Sequence, residues 1–123
     1  MTAEHEIVIK VKRGLLRRPV GIRFDMLAFF RMLESFGINL GDDVTAISKV
    51  PYDEMLCVAI AAGYESYCFK HKQVMKYDRD LILKWIDDSV ITRGHMKILG
   101  NLWNDFMKDY TAVTDKKKVT AKE

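Results

Sequence analysis

In "EIVIKVK", residues 6–12, Ile7, Ile9 and Val11 alternate with Val8, Lys10 and Lys12, the two-residue period of a strand with one buried face. After a turn near Gly14, "RRPVGIRF" resumes an extended run. Pro19 within it has no N–H to donate, which suits an edge strand or the first residue of one. Together the two runs predict a β-hairpin.

Beyond Phe24 the apolar spacing becomes helical. Asp25 is a good N-cap and Gly37 a good left-handed stop, which predicts a helix over 25–36. A short helix from Asp43 to Lys49 is ended by Pro51. Asp53 is then expected to cap a long helix to Lys70, whose middle, "MLCVAIAAGY", is apolar all round, as central buried helices are. "KQVMKYD" reads as a loop ending at an N-cap, Asp78. The next helix, "RDLILKWIDD", turns Leu81, Ile82, Trp85 and Ile86 inward. The last helix runs from His95 to Tyr110, with Met96, Leu99, Leu102, Trp103, Phe106, Met107 and Tyr110 on one arc that should cover the central helix.

The predicted fold is α+β and mainly helical: a short N-terminal β-hairpin followed by four or five helices around the one at 53–70. Residues 1–110 form a single domain, and 111–123 a flexible, lysine-rich tail.

The first helix carries more apolar surface than one buried face requires. Across residues 24–36 the large apolar side chains span ~220° of the wheel, against the ≳100° stripe of an ordinary surface helix. Met26, Phe30 and Leu33 lie near the middle of the arc and should pack inward. Phe29, Met32 and Phe36 lie on one flank. Either the fold encloses this helix on two sides, or the flank is a docking strip for an apolar helical client. Seven methionines lend weight to the second reading, because the flexible thioether repacks against varied partners, yet methionine fills cores as well. Should the helix be enclosed, the next candidate surface is the edge of the last helix near Trp103 and Met107.

Composition changes this picture little. The chain has 123 residues, 49% hydrophobic and 30% charged, ordinary for one globular domain. No apolar run is long enough for a bilayer span, and the N-terminus lacks the features of a signal peptide, so the cytoplasm is the expected location. The net charge of +3 is small but unevenly placed. Lys10, Lys12, Arg13, Arg17, Arg18 and Arg23 crowd the start, and four lysines lie in "DKKKVTAKE". Clustered cations attract phosphate, but a solvated hairpin tip and a lysine-rich terminus look the same in sequence. Cys57 and Cys68 fall eleven residues apart on one helix, ~16 Å at 1.5 Å per residue, too far to pair within it.

Catalytic chemistry is not apparent. His5, His71 and His95 sit in separate segments, and Cys68 with His71 supplies two ligands where zinc needs three or four. The acidic pairs Asp42/Asp43, Asp53/Glu54 and Asp87/Asp88 sit at element ends, where capping and dipole effects account for them. Seven glycines are scattered singly, with no phosphate loop. The chain is therefore expected to be non-enzymatic, with neither metal nor cofactor.

The order of parts, a basic hairpin running into "IRFDMLAFFRMLESFGINLGD", then "YDEMLCVAIAAGYESYCFK", then "YDRDLILKWIDD" and a final amphipathic helix, resembles the tail assembly chaperones of long-tailed bacteriophages and prophages. The resemblance covers residues 6–110. It implies a non-enzymatic helper that coats the hydrophobic tape measure protein before the tail tube polymerises, in the cytoplasm of a bacterial host. Its partners would be the tape measure protein, the tail tube protein and further copies of the chain, through surfaces including Phe29, Met32, Phe36, Trp103 and Met107. Nucleic acid and membrane are not expected. The strongly basic hairpin "KVKRGLLRRP" departs from the family pattern. A virion structural adaptor, such as a head–tail connector or tail completion protein, is the alternative reading, and a small basic DNA-binding protein the third.

Overall fold

A computed structural model describes residues 5–13, 15–38 and 44–122. Two antiparallel strands, β1 (Glu6–Arg13) and β2 (Leu16–Arg23), open the chain. They pair from Glu6↔Arg23 to Arg13↔Leu16, so two residues connect them; Gly14, where the sequence places the turn, lies outside the described residues. The Phe24 N–H donates to the His5 carbonyl at 2.9 Å. Bonded pairs alternate along an antiparallel ladder, so Ile7↔Ile22, Ile9↔Val20 and Val11↔Arg18 are bonded pairs and Lys10↔Pro19 is not. Pro19 thus sits where its missing N–H would have pointed away from β1. One face of the ribbon buries Ile9, Val11, Val20 and Ile22, as the alternation predicts, while Val8, Lys10 and Lys12 are exposed.

The helices are α1 (Met26–Ser35), α2 (Tyr52–Lys70), α3 (Arg79–Asp87) and α4 (Arg93–Lys122), with a 3₁₀ turn over Val44–Lys49 before α2. The fold is α+β and mainly helical, and α2 is its axis, packing against β2, α1, α3 and α4. Leu56 and the run Ala59–Tyr64 are buried, as the all-round apolar pattern requires. Ile82 and Trp85 of α3 are buried, with Leu81 and Ile86 packed beside them. Cys57 and Cys68 both lie in α2 as free thiols. Among the described residues no helix is long and apolar enough to cross a membrane.

Helix ends show where local chemistry decides. The Asp25 carboxylate accepts from the Ala28 N–H at 3.0 Å and that of Asp78 from the Leu81 N–H at 2.7 Å, both as N-caps. Asp53 does not cap α2. Pro51 is the cap residue, its carbonyl accepting from the Met55 N–H at 2.9 Å, and Asp53 sits in the first turn, where its charge suits the dipole. Asp87 and Asp88 occupy the C-terminal end of α3, where the dipole opposes acids, so dipole effects do not account for that pair. α4 begins before His95. The Thr92 hydroxyl accepts from the His95 N–H and the Thr92 N–H donates to His95 Nδ1, each at 3.2 Å, a capping box with His in the usual place of Glu. α4 also runs past Tyr110 to Lys122, through the segment read as a tail, which holds no glycine or proline to stop it.

α1 is rotated from its expected orientation. Ala28, Phe29, Met32 and Leu33 are buried, Phe30 is half-buried and Met26 is exposed, a shift of roughly a quarter turn on a wheel of 100° per residue. The cause is α4. Phe29 lies 6.3 Å from Trp103, 6.5 Å from Phe106 and 5.4 Å from Tyr110 between ring centroids, and Trp103 meets Phe24 edge-on at 5.2 Å. The aromatic stripe of α4 therefore covers the junction of hairpin and α1 as well as the central helix.

The docking strip is corrected accordingly. Phe29, Met32 and Trp103 are 4%, 0% and 1% exposed and belong to the core. Phe36 and Met107 are half-buried and pack against it. The excess of apolar side chains on α1 serves enclosure on two sides.

A candidate client cleft at the edge of the hairpin

Among the described residues a cleft of about 500 Å³ lies between β2, the end of α2 and the loop before α3. It is lined by Val8, Arg18, Pro19, Gly21, Tyr64, Tyr67, Gln73, Val74, Lys76 and Tyr77. Val8, Pro19 and Gly21 share the outer face of the ribbon with Lys10, Lys12 and Arg17, since successive residues of a strand alternate sides.

Two glycines bring the helix close enough to form this edge. A Cβ on Gly63 would lie 2.8 Å from Ile22 Cγ2, so α2 passes tightly against β2. A Cβ on Gly21 would overlap the Tyr67 ring, which therefore lies directly on the strand backbone. Tyr67 also packs on His71 at 4.3 Å, while Tyr77 stands between Tyr64 at 5.6 Å and Trp85 at 4.7 Å.

The far wall is held by α2's C-terminal cap. The Gln73 N–H donates to the Cys68 carbonyl at 2.8 Å and the Lys72 N–H to that of Phe69 at 3.3 Å, with Lys72 left-handed at φ 55°. The Tyr64 hydroxyl accepts from the Lys76 N–H at 3.0 Å and pins the loop. Burial pushes the Tyr64 pKa up and a hydrogen bond with Cys68 adds to the shift, while the Lys76 N–H pulls the other way. Within the cleft lining Val74 is 86% exposed and Val8 is exposed to a lesser degree.

A polar network stands at the other end of the ribbon. Arg23 Nη1 donates to Glu6 Oε1 at 3.1 Å and Nε to Asp25 Oδ2 at 2.9 Å, while Ser66 Oγ donates to Asp25 Oδ1 at 2.6 Å. Burial works against the Arg23 charge, but the hydrogen bonds to Asp25 and Glu6 outweigh it and raise its pKa. This network joins β1, β2, α1 and α2 and is satisfied internally, as a structural tie should be.

The histidines take structural partners: His5 meets Asp109 at 2.9 Å, His71 meets Glu6 at 3.0 Å, and His95 caps α4. Cys68 is buried beside Tyr64 while His71 Nε2 faces Glu6, so the two do not converge. No group of three potential metal ligands is brought together among the described residues. Of the sequence-predicted surface residues Phe29, Met32, Phe36, Trp103 and Met107, none lines the cleft. Sequence reasoning missed the cleft because its walls come from residues 8, 18–21, 64–67 and 73–77. The one local signal is the apolar pair Val74–Met75 inside a stretch otherwise read as a polar loop.

No protein-family model, curated protein or solved structure matches this chain.

Proposed function

We propose that the protein is a non-enzymatic helper that shelters an apolar client, the role implied by its resemblance to phage tail assembly chaperones, with the tape measure protein as client. The observation that supports this reading is the hairpin-edge cleft with the exposed apolar side chains of Val8 and Val74 in its lining. Apolar side chains gathered at the mouth of one concavity mark an interaction site, whereas singly scattered ones need no explanation. The client is seated at this cleft and not on α1, whose apolar flank is consumed by the core.

Co-expression of the full chain with the cognate tape measure protein tests the reading. The soluble yield of the tape measure protein should rise, and Val8→Asp with Val74→Asp should abolish the rise, since both positions are exposed and the changes spare the core. Unchanged yield, with this protein found in purified virions, gives the structural adaptor reading instead.

A further inference from the structure

We infer that the client segment seated in the hairpin-edge cleft is acidic as well as apolar: an amphipathic stretch whose carboxylates meet Arg18 and Lys76 while its apolar side chains meet Val8, Pro19 and Val74. The inference rests on the client-binding reading and adds the charge of the client to it.

The charge distribution carries it. Arg18 and Lys76 line the cleft, and no carboxylate does. Lys10, Lys12 and Arg17 add positive charge on the outer face that Val8, Pro19 and Gly21 share, with Lys12 and Arg17 directly opposite in the register, while Arg18 stands opposite Val11 on the other face. None of these five cations has an ion-pair partner among the described residues, although the carboxylates of Glu6, Asp25, Glu34, Glu65 and Asp109 all have one. Like charges placed opposite each other across a ribbon repel, and an arriving anion relieves that repulsion. Charge complementarity of this kind steers association and fixes register.

The lining chooses between two classes of anion. A single-stranded nucleic acid needs free aromatic faces on which bases stack. The rings here are already occupied: Tyr67 lies on Gly21 and His71, and Tyr77 between Tyr64 and Trp85. What remains accessible at the mouth is largely aliphatic, Val8 and Val74, beside cations. A peptide that alternates leucine-like and carboxylate side chains satisfies both.

Fluorescence anisotropy with three labelled amphipathic peptides tests this, one of leucines and glutamates, one with every glutamate replaced by glutamine, and one with every glutamate replaced by lysine. The acidic peptide should bind the full chain at least about tenfold more tightly than the glutamine peptide at low salt, and the gap should narrow as salt shortens the Debye length from ~30 Å at 0.01 M to ~8 Å at 0.15 M. Arg18→Glu with Lys76→Glu should reverse the order and favour the lysine peptide. Arg18→Gln with Lys76→Gln should level the acidic and glutamine peptides, and circular dichroism should show each variant folded. Equal binding of acidic and glutamine peptides to the wild-type chain overturns the charge inference while leaving the apolar-client reading in place. No binding of any peptide, with tape measure yield also unchanged on co-expression, removes both. Tighter binding of single-stranded DNA than of the acidic peptide overturns the inference in favour of nucleic acid.

Discussion

Ser66 and Asp25 are joined by a 2.6 Å hydrogen bond between α2 and the residue that caps α1. The same carboxylate oxygen accepts from the Ala28 N–H, and the other oxygen holds Arg23. Ser66 is 1% exposed, so its hydroxyl depends on this partner. Asp25→Ala should cost about 2 kcal/mol or more, combining a lost cap with a buried hydroxyl left unpaired. Chemical denaturation of the two single variants and of Asp25→Ala with Ser66→Ala checks it: the double variant should cost less than the sum of the singles.

Met32→Asp and Leu33→Asp should collapse the protein alike. Both side chains are essentially unexposed, so either change buries an uncompensated charge at several kcal/mol, from a domain total of ~5–15 kcal/mol. Thermal unfolding without any client is the measurement. A folded Met32→Asp would put the docking strip back on α1.

Gly21→Ala should lower stability by about 1–3 kcal/mol, because the new methyl group overlaps the Tyr67 ring. In a Tyr67→Ala background the same substitution should cost little. Comparing the two thermal shifts separates this clash from any effect of alanine on the strand.

Ser89 closes α3 in the left-handed conformation at φ 61°, with its N–H on the Ile86 carbonyl at 3.2 Å and that of Val90 on Trp85 at 2.9 Å. A left-handed L-residue carries a penalty of about 1–2 kcal/mol, which glycine avoids at some cost in unfolded-chain entropy. Ser89→Gly should therefore stabilise the protein by up to about 1 kcal/mol, read as a rise in Tm.

Tyr64 makes stability fall at high pH. Its folded pKa is raised by burial, and the unfolded value is ~10. The neutral form is thus favoured by folding: the contribution is fully present below about pH 10 and is lost as pH rises through the folded pKa. Tyr64→Phe should flatten this alkaline limb in thermal unfolding scans taken across that range.

Hairpin, helix centres and the buried axis were legible because each rests on a period that packing preserves. Caps were legible where the residue type is the usual one: Asp25 and Asp78 before apolar runs, and Gly37 after one at φ 71°. They were hidden where another residue does the same work, as His95 does in the box with Thr92, and Lys72 and Ser89 in left-handed turns. The rotation of α1 could not be read from its own wheel, since it depends on Trp103, Phe106 and Tyr110 arriving from a helix some seventy-five residues away in sequence. The cleft was illegible for the same reason: nothing local in "RRPVG" announces that Tyr67 will lie on its glycine.

The two margins of the ribbon are defended by different means, and solution conditions act on only one. β2 presents Pro19 at an outward position, so no intruding chain can find an N–H there whatever the buffer. Among the described residues β1 has no second neighbour in the sheet, and the backbone groups of Val8, Lys10 and Lys12 face outward, guarded by the two lysine charges. Salt screens that guard, with a Debye length of ~3 Å at 1 M. Concentrated stocks of this protein should therefore keep better in dilute buffer than in brine, and any fibre that forms in brine should grow from the β1 side.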